Sequence, residues 1–142
     1  MRVVEDGLAR SDRSQAKLAR PFSYAHDLNV RVRQLIAWSH WTRADILAGA
    51  IKPAEADAEY RLSIAGYVAL AVDFPKNREY RFNQAQVLWQ IGQTWVNAGM
   101  PSKGRADLLN ARTILDQLTR DGMDDDSSRK VLESVNEMLT AK

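Results

Sequence analysis

The stretch LWQIGQTWVNAGM, Leu88 to Met100, decides the fold. Ile91, Gly92 and Trp95 fall on one side of a helix, and Gly99 closes the segment. A glycine inside so apolar a helix costs about 1 kcal/mol relative to alanine. Its presence therefore calls for a second helix that comes too near to leave room for a side chain. Where two antiparallel helices cross closely, the residues at the crossing are small, and larger ones above and below fill the grooves.

Apolar spacing extends the helical reading in both directions. Residues 1–13, with Gly7 and few large apolar side chains, read as a flexible lead-in, and residues 14–142 as a single helical domain. A short segment, SQAKLAR, runs to a boundary at Pro21. Between Phe22 and Gly49 the positions Leu28, Val32, Leu35, Trp38, Trp41, Asp45/Ile46 and Ala48 step mostly by three or four, which predicts a one-sided helix ended by Gly49. Pro53 then stands near the first turn of a helix whose inward stripe is Ala56, Tyr60, Ser63/Ile64, Tyr67 and Leu70/Ala71. After the break Phe74-Pro75-Lys76-Asn77, a third helix from about Arg78 to Ala98 turns Phe82, Ala85, Leu88, Ile91/Gly92 and Trp95 inward. Pro101 opens a fourth, with Gly104, Leu108, Ala111, Ile114/Leu115 and Leu118 as its stripe. The acidic turn RDGMDDDSS supplies an N-cap from Asp124 to Ser127 for a last helix, Ser128 to about Leu139, whose inward stripe is Val131 or Leu132, Val135 and Met138 or Leu139.

These helices pair into two similar units. At an offset of 48 residues Pro53 meets Pro101, Ala56 meets Gly104, Tyr60 meets Leu108 and Ser63 meets Ala111; before the turn, at 50, Gly49 meets Gly99 and Trp41 meets Ile91. Self-similarity of this kind marks stacked helix pairs. In the second unit Leu88, Ile91-Gly92, Trp95, Gly99, Gly104, Leu108 and Ala111 resemble the tetratricopeptide repeat pattern, and FPKNREYRFNQAQ before them is similar to its linker and aromatic entry. The resemblance covers roughly Phe74 to Leu118; in the first unit Thr42 and Asp45 stand where that pattern has glycine and an aromatic. It implies an all-α, right-handed superhelix of two tetratricopeptide-like hairpins with a C-terminal capping helix. It also implies a concave groove, lined by the first helix of each pair, that takes a protein or peptide partner.

Composition narrows the function classes. With no cysteine, disulfides, thiolate metal sites and a cysteine nucleophile are excluded. The formal charge of +2 is far below what phosphate-backbone binding calls for. Charge is mildly blocked, with a basic excess of four over residues 1–43 and again over 76–120, and an acidic excess of three over 44–75 and over 121–142. Alternation of this size describes solvated helix faces. No run approaches 18 apolar residues and no signal-peptide pattern opens the chain, so the expectation is a cytoplasmic protein without membrane contact.

Catalytic and metal signals are weak. His26 and His40 have no carboxylate at metal-ligand spacing, and no phosphate-cradling or nucleophile-elbow glycine motif occurs. From Asp121 the acidic run has Asp126 at its sixth position and Leu132 at its twelfth, where a calcium loop needs Gly and Glu. No catalytic residue, cofactor or metal is therefore expected. The groove positions implied by the resemblance are Gln86, Trp89, Gln93 and Asn97 in the second unit and Ser39 and Arg43 in the first. Trp89 reads equally as an anchor between amides or as a side chain packed under an adjoining helix. The expected function is a non-catalytic scaffold; the alternative is a small subunit or adaptor that works by homo-oligomerisation. A basic nucleic-acid binder built on Arg31, Arg33, Arg43, Arg78 and Arg81 with Trp38 or Trp41 comes third, and an enzyme ranks last.

Overall fold

The computed structural model describes the backbone of residues 2–141 and the side chains of residues 25–141. Among the described residues five α-helices follow in order: α1 (Arg2–Gly49), α2 (Pro53–Asp73), α3 (Arg78–Asn97), α4 (Arg105–Arg120) and α5 (Asp126–Thr140). A 3-10 turn, Pro101–Gly104, leads into α4, and no strand occurs among the described residues. The all-α expectation therefore holds. The chain divides into two units between Arg33 and Gln34, the first of which lies within α1. The expected boundary at Pro21 is not a break in secondary structure, because α1 runs through it. Proline removes one donor and crowds the preceding turn, but its fixed φ is itself helical. The lead-in expected over residues 1–13 falls within the helical span from Arg2, on side chains that lie outside the described ones.

The helix ends follow from local chemistry. Pro53 occupies the first turn of α2, where its missing N–H has no intrahelical partner to lose. The Asn77 side chain accepts from the Glu79 N–H at 3.2 Å to cap α3, and Asp125 accepts from the Ser128 N–H at 2.8 Å to cap α5. Gly99 (φ +75°) and Gly122 (φ +96°) end α3 and α4 in left-handed turns, closed by Met100 N–H to Trp95 O and by Met123 N–H to Leu118 O, both 2.8 Å. Helix α1 ends at Gly49, as expected, but the left-handed residue of its closing turn is Ile51. Gly49 remains helical, and Ile51 takes φ 57° while Lys52 N–H closes onto Leu47 O at 3.0 Å. A β-branched residue in that region is strained.

Helix α3 is the centre of the larger unit, with α2, α4 and α5 all packed on it. The close approach expected at Gly92 is present. A Cβ on Gly92 would lie 2.3 Å from Leu108 Cδ2, and one on Gly104 would lie 2.8 Å from the Gly92 Cα. Around this crossing Phe82, Ala85, Leu88, Leu108, Ala111, Leu115 and Leu118 form one core with Val131, Val135 and Leu139 of α5. The inward stripes expected for α2 to α5 are the buried ones. A polar chain ties the same helices: Trp95 Nε1 donates to Asp57 at 2.6 Å, and Arg61 bridges Asp57 to the buried Asp107.

The expectation for the C-terminal part of α1 needs correction. Leu35, Trp38 and Ile46 are 59%, 58% and 68% exposed, and Leu28 and Val32 are likewise open, whereas Ala37 and Ala44 are fully buried. The helix presents its small residues to α2: a Cβ on Gly66 would lie 2.9 Å from the Ala37 Cβ, and Trp41 meets Tyr67 edge-on at 6.1 Å. Close helix contact selects alanine and glycine, so the face richest in large side chains is not the face that packs.

Three substitutions test these contacts and turns. Gly104→Ala, whose new methyl meets backbone, lowers the unfolding free energy in urea by about 1–3 kcal/mol, whereas Gly49→Ala, with nothing within 4 Å, leaves it unchanged or raises it. Ile51→Gly raises it by about 1 kcal/mol, read from the same denaturation curves.

Candidate functional site

Helices α1 and α3 run in the same direction across α2. Gln34 of α1 is hydrogen-bonded to Tyr80 near the start of α3, while Asp45, three turns on, faces the C-terminal half of α3. Between them lies a cleft of about 330 Å³ lined by Asp45, Ala48 and Gly49 from α1, Tyr60 from α2, and Gln90, Gln93, Thr94 and Asn97 from α3. Its floor is polar but ordered. The Tyr60 hydroxyl donates to Asp45 Oδ1 at 2.6 Å, and Thr94 Oγ1 donates to the Gln90 carbonyl at 2.7 Å. Burial, reinforced by the Asp45 carboxylate, pushes the Tyr60 phenol far above its ordinary value, so it stays a donor.

On α3 the lining residues belong to a longer stripe. Asn83, Gln86, Gln90, Gln93 and Asn97 succeed one another by three and four residues, so one face of the helix carries five carboxamides in a row. Asn83, Gln86, Gln90 and Gln93 are half-buried and Asn97 is exposed. A carboxamide both donates and accepts without carrying charge, which suits a partly desolvated wall.

The structure brings some of the sequence-derived positions together and leaves others apart. Gln93 and Asn97 line the cleft, and Gln86 stands two turns before Gln93 on the same face. Trp89 packs against the core, with its indole N–H donated to Ser134 Oγ of α5 at 2.9 Å. Ser39 and Arg43 are exposed on α1 and are not among the lining residues. Arg43 reaches Glu59 at 3.4 Å, and His40 Nδ1 bonds the other oxygen of that carboxylate at 2.7 Å. Sequence reasoning missed Asp45, Tyr60 and Gln90. Asp45 did carry a signal, since it stands where the repeat pattern has an aromatic; Tyr60 was assigned to the core, where most of its ring indeed lies.

Among the described residues no group of three or more histidines and carboxylates is arranged to hold a metal ion, and no helix is long and apolar enough to cross a membrane. The acidic run from Asp121 to Asp126 forms the turn into α5, with Asp125 as its cap. No protein-family model, curated protein or solved structure matches the chain.

The Glu59 carboxyl is held below the ordinary carboxylate value of 4.5, foremost by its hydrogen bond with His40, with burial opposing and Arg43 adding to the shift. A depressed folded-state value stabilises the fold above the unfolded value and ceases to do so as pH falls through the folded one. Glu59→Gln therefore lowers the melting temperature near neutral pH, and the gap between variant and wild type closes on acidification below the ordinary carboxylate range. A constant gap across that titration contradicts the pairing.

Proposed function

We propose that the chain is a non-catalytic, cytoplasmic scaffold of tetratricopeptide-like helical hairpins that holds an extended peptide or protein segment between α1 and α3. The observation that carries this reading is the cleft itself. Its α3 wall is a row of carboxamides rather than charges, each able to offer a donor and an acceptor to a peptide backbone. The paired small residues that bring α3 onto α4, and α1 onto α2, support the hairpin assignment.

A second reading, assembly of copies of the chain through α1, has one specific observation in its favour. Leu35, Ile36 and Ile46 are each more than half exposed on α1. The outward face of α5, by contrast, is charged, with Arg129, Lys130, Glu133 and Glu137 exposed. Stacked helical arrays need polar outer faces at both ends, and these three side chains make the described part of α1 apolar where they stand.

Peptides selected on the wild-type chain from a random displayed library test the groove. Gln90→Ala/Gln93→Ala removes two side chains worth about 1 kcal/mol each as hydrogen-bonding partners, and weakens those peptides tenfold or more. Full affinity in a folded double variant assigns binding elsewhere. Sedimentation velocity of the wild type and of Leu35→Glu/Ile46→Glu addresses the second reading; a monomer at tens of micromolar in both removes it.

A further inference from the structure

We infer that the cleft between α1 and α3 takes a cationic side chain, a lysine or arginine of the bound segment, with Asp45 as its counter-ion; this rests on the groove reading above and specifies its ligand chemistry. Asp45 is the only charged residue among the described residues that line the cleft. The remainder are amides, hydroxyls and small residues, which hydrogen-bond either charge sign equally well and set no preference of their own. The sign of the site therefore comes from one carboxylate.

The geometry around that carboxylate favours its use. Tyr60 donates to Oδ1 and holds the carboxylate toward the cleft, while Oδ2 has no hydrogen-bond or ion-pair partner among the described residues. The basic groups nearest in sequence are engaged or lie elsewhere. Arg43 is directed to Glu59, His40 bonds the same Glu59, and neither lines the cleft. An acidic side chain or a C-terminal carboxylate entering here would meet Asp45 with no cation among the lining residues to offset the repulsion. Trp38, two turns before Asp45 on the same side of α1 and 58% exposed, adds an aromatic surface along the approach, on which an aliphatic stem or a guanidinium packs well.

The probes are Nα-acetyl-arginine N-methylamide, its norleucine counterpart of similar stem length, and Nα-acetyl-glutamate N-methylamide. Each is titrated into the full chain while the side-chain amide signals of Gln90, Gln93 and Asn97 are followed by NMR. The arginine probe is expected to bind about two- to fivefold more tightly than the norleucine probe, the range for an exposed ion pair, with glutamate weakest. The preference disappears in Asp45→Asn, which retains an oxygen to accept from Tyr60, and persists in Tyr60→Phe, which retains the charge. Raised salt narrows it. Equal binding of all three probes at the same amides overturns the charge inference and leaves the groove reading standing. An arginine preference that survives in Asp45→Asn overturns it as well, by placing the counter-ion elsewhere. No response of those amides to any probe overturns both.

Discussion

The contact between Gly92 and Gly104 is the constraint from which the rest of the larger unit follows. A Cβ on Gly104 would reach within 2.8 Å of the Gly92 backbone, so the turn into α4 approaches α3 more closely than a side chain at Gly104 permits. The two glycines forgo helix propensity, about 1 kcal/mol at the mid-helix position, and the close-packed side chains on either side supply the offset. Leu108 settles directly over Gly92, and Ala111, Leu115 and Leu118 on the same helix then share one core with Ala85, Leu88 and Phe82. With α4 so placed, α5 can lay Val131, Val135 and Leu139 against both helices.

Because α3 is shared by three neighbours, nearly every side of it has an assigned task. Trp95 is tied to Asp57 of α2, Trp89 to Ser134 of α5, and Gly92 to α4. The side left over is the row of carboxamides. Charges there would carry a desolvation cost in a half-buried wall, and apolar residues would invite collapse of the cleft; amides avoid both. The cleft is thus a consequence of how α1 and α3 stand against Tyr60 of α2.

Helix α1 illustrates how a correct period can be assigned to the wrong side. Its large residues Leu35, Trp38 and Ile46 recur at helical spacing, and so do Ala37 and Ala44 on the opposite side. Periodicity identifies both stripes but does not rank them. The ranking comes from α2, which offers Gly66 and Tyr67 and so accepts a close, alanine-bearing surface with Trp41 at its edge. The same effect shifts the tight contact of the first hairpin to Ala37–Gly66, away from the Thr42 position that the repeat alignment pairs with Gly92.

The sequence by itself determined the helices α2 to α5, their buried stripes and their stops, because those depend on propensity, caps, left-handed glycines and a period of 3.6 residues, all local. It also determined that α3 had to be touched at Gly92, since a mid-helix glycine among large apolar residues has a steric meaning without any partner being known. Only the tertiary structure decided which face of α1 is covered, that the Trp89 indole is tied to Ser134 of α5, and that Asp45, Tyr60 and Gln90 border one cleft. Those outcomes rest on contacts between residues 15 to 46 positions apart. At such separations the choice among several compatible faces is made by how whole helices fit together, which no local window of sequence encodes.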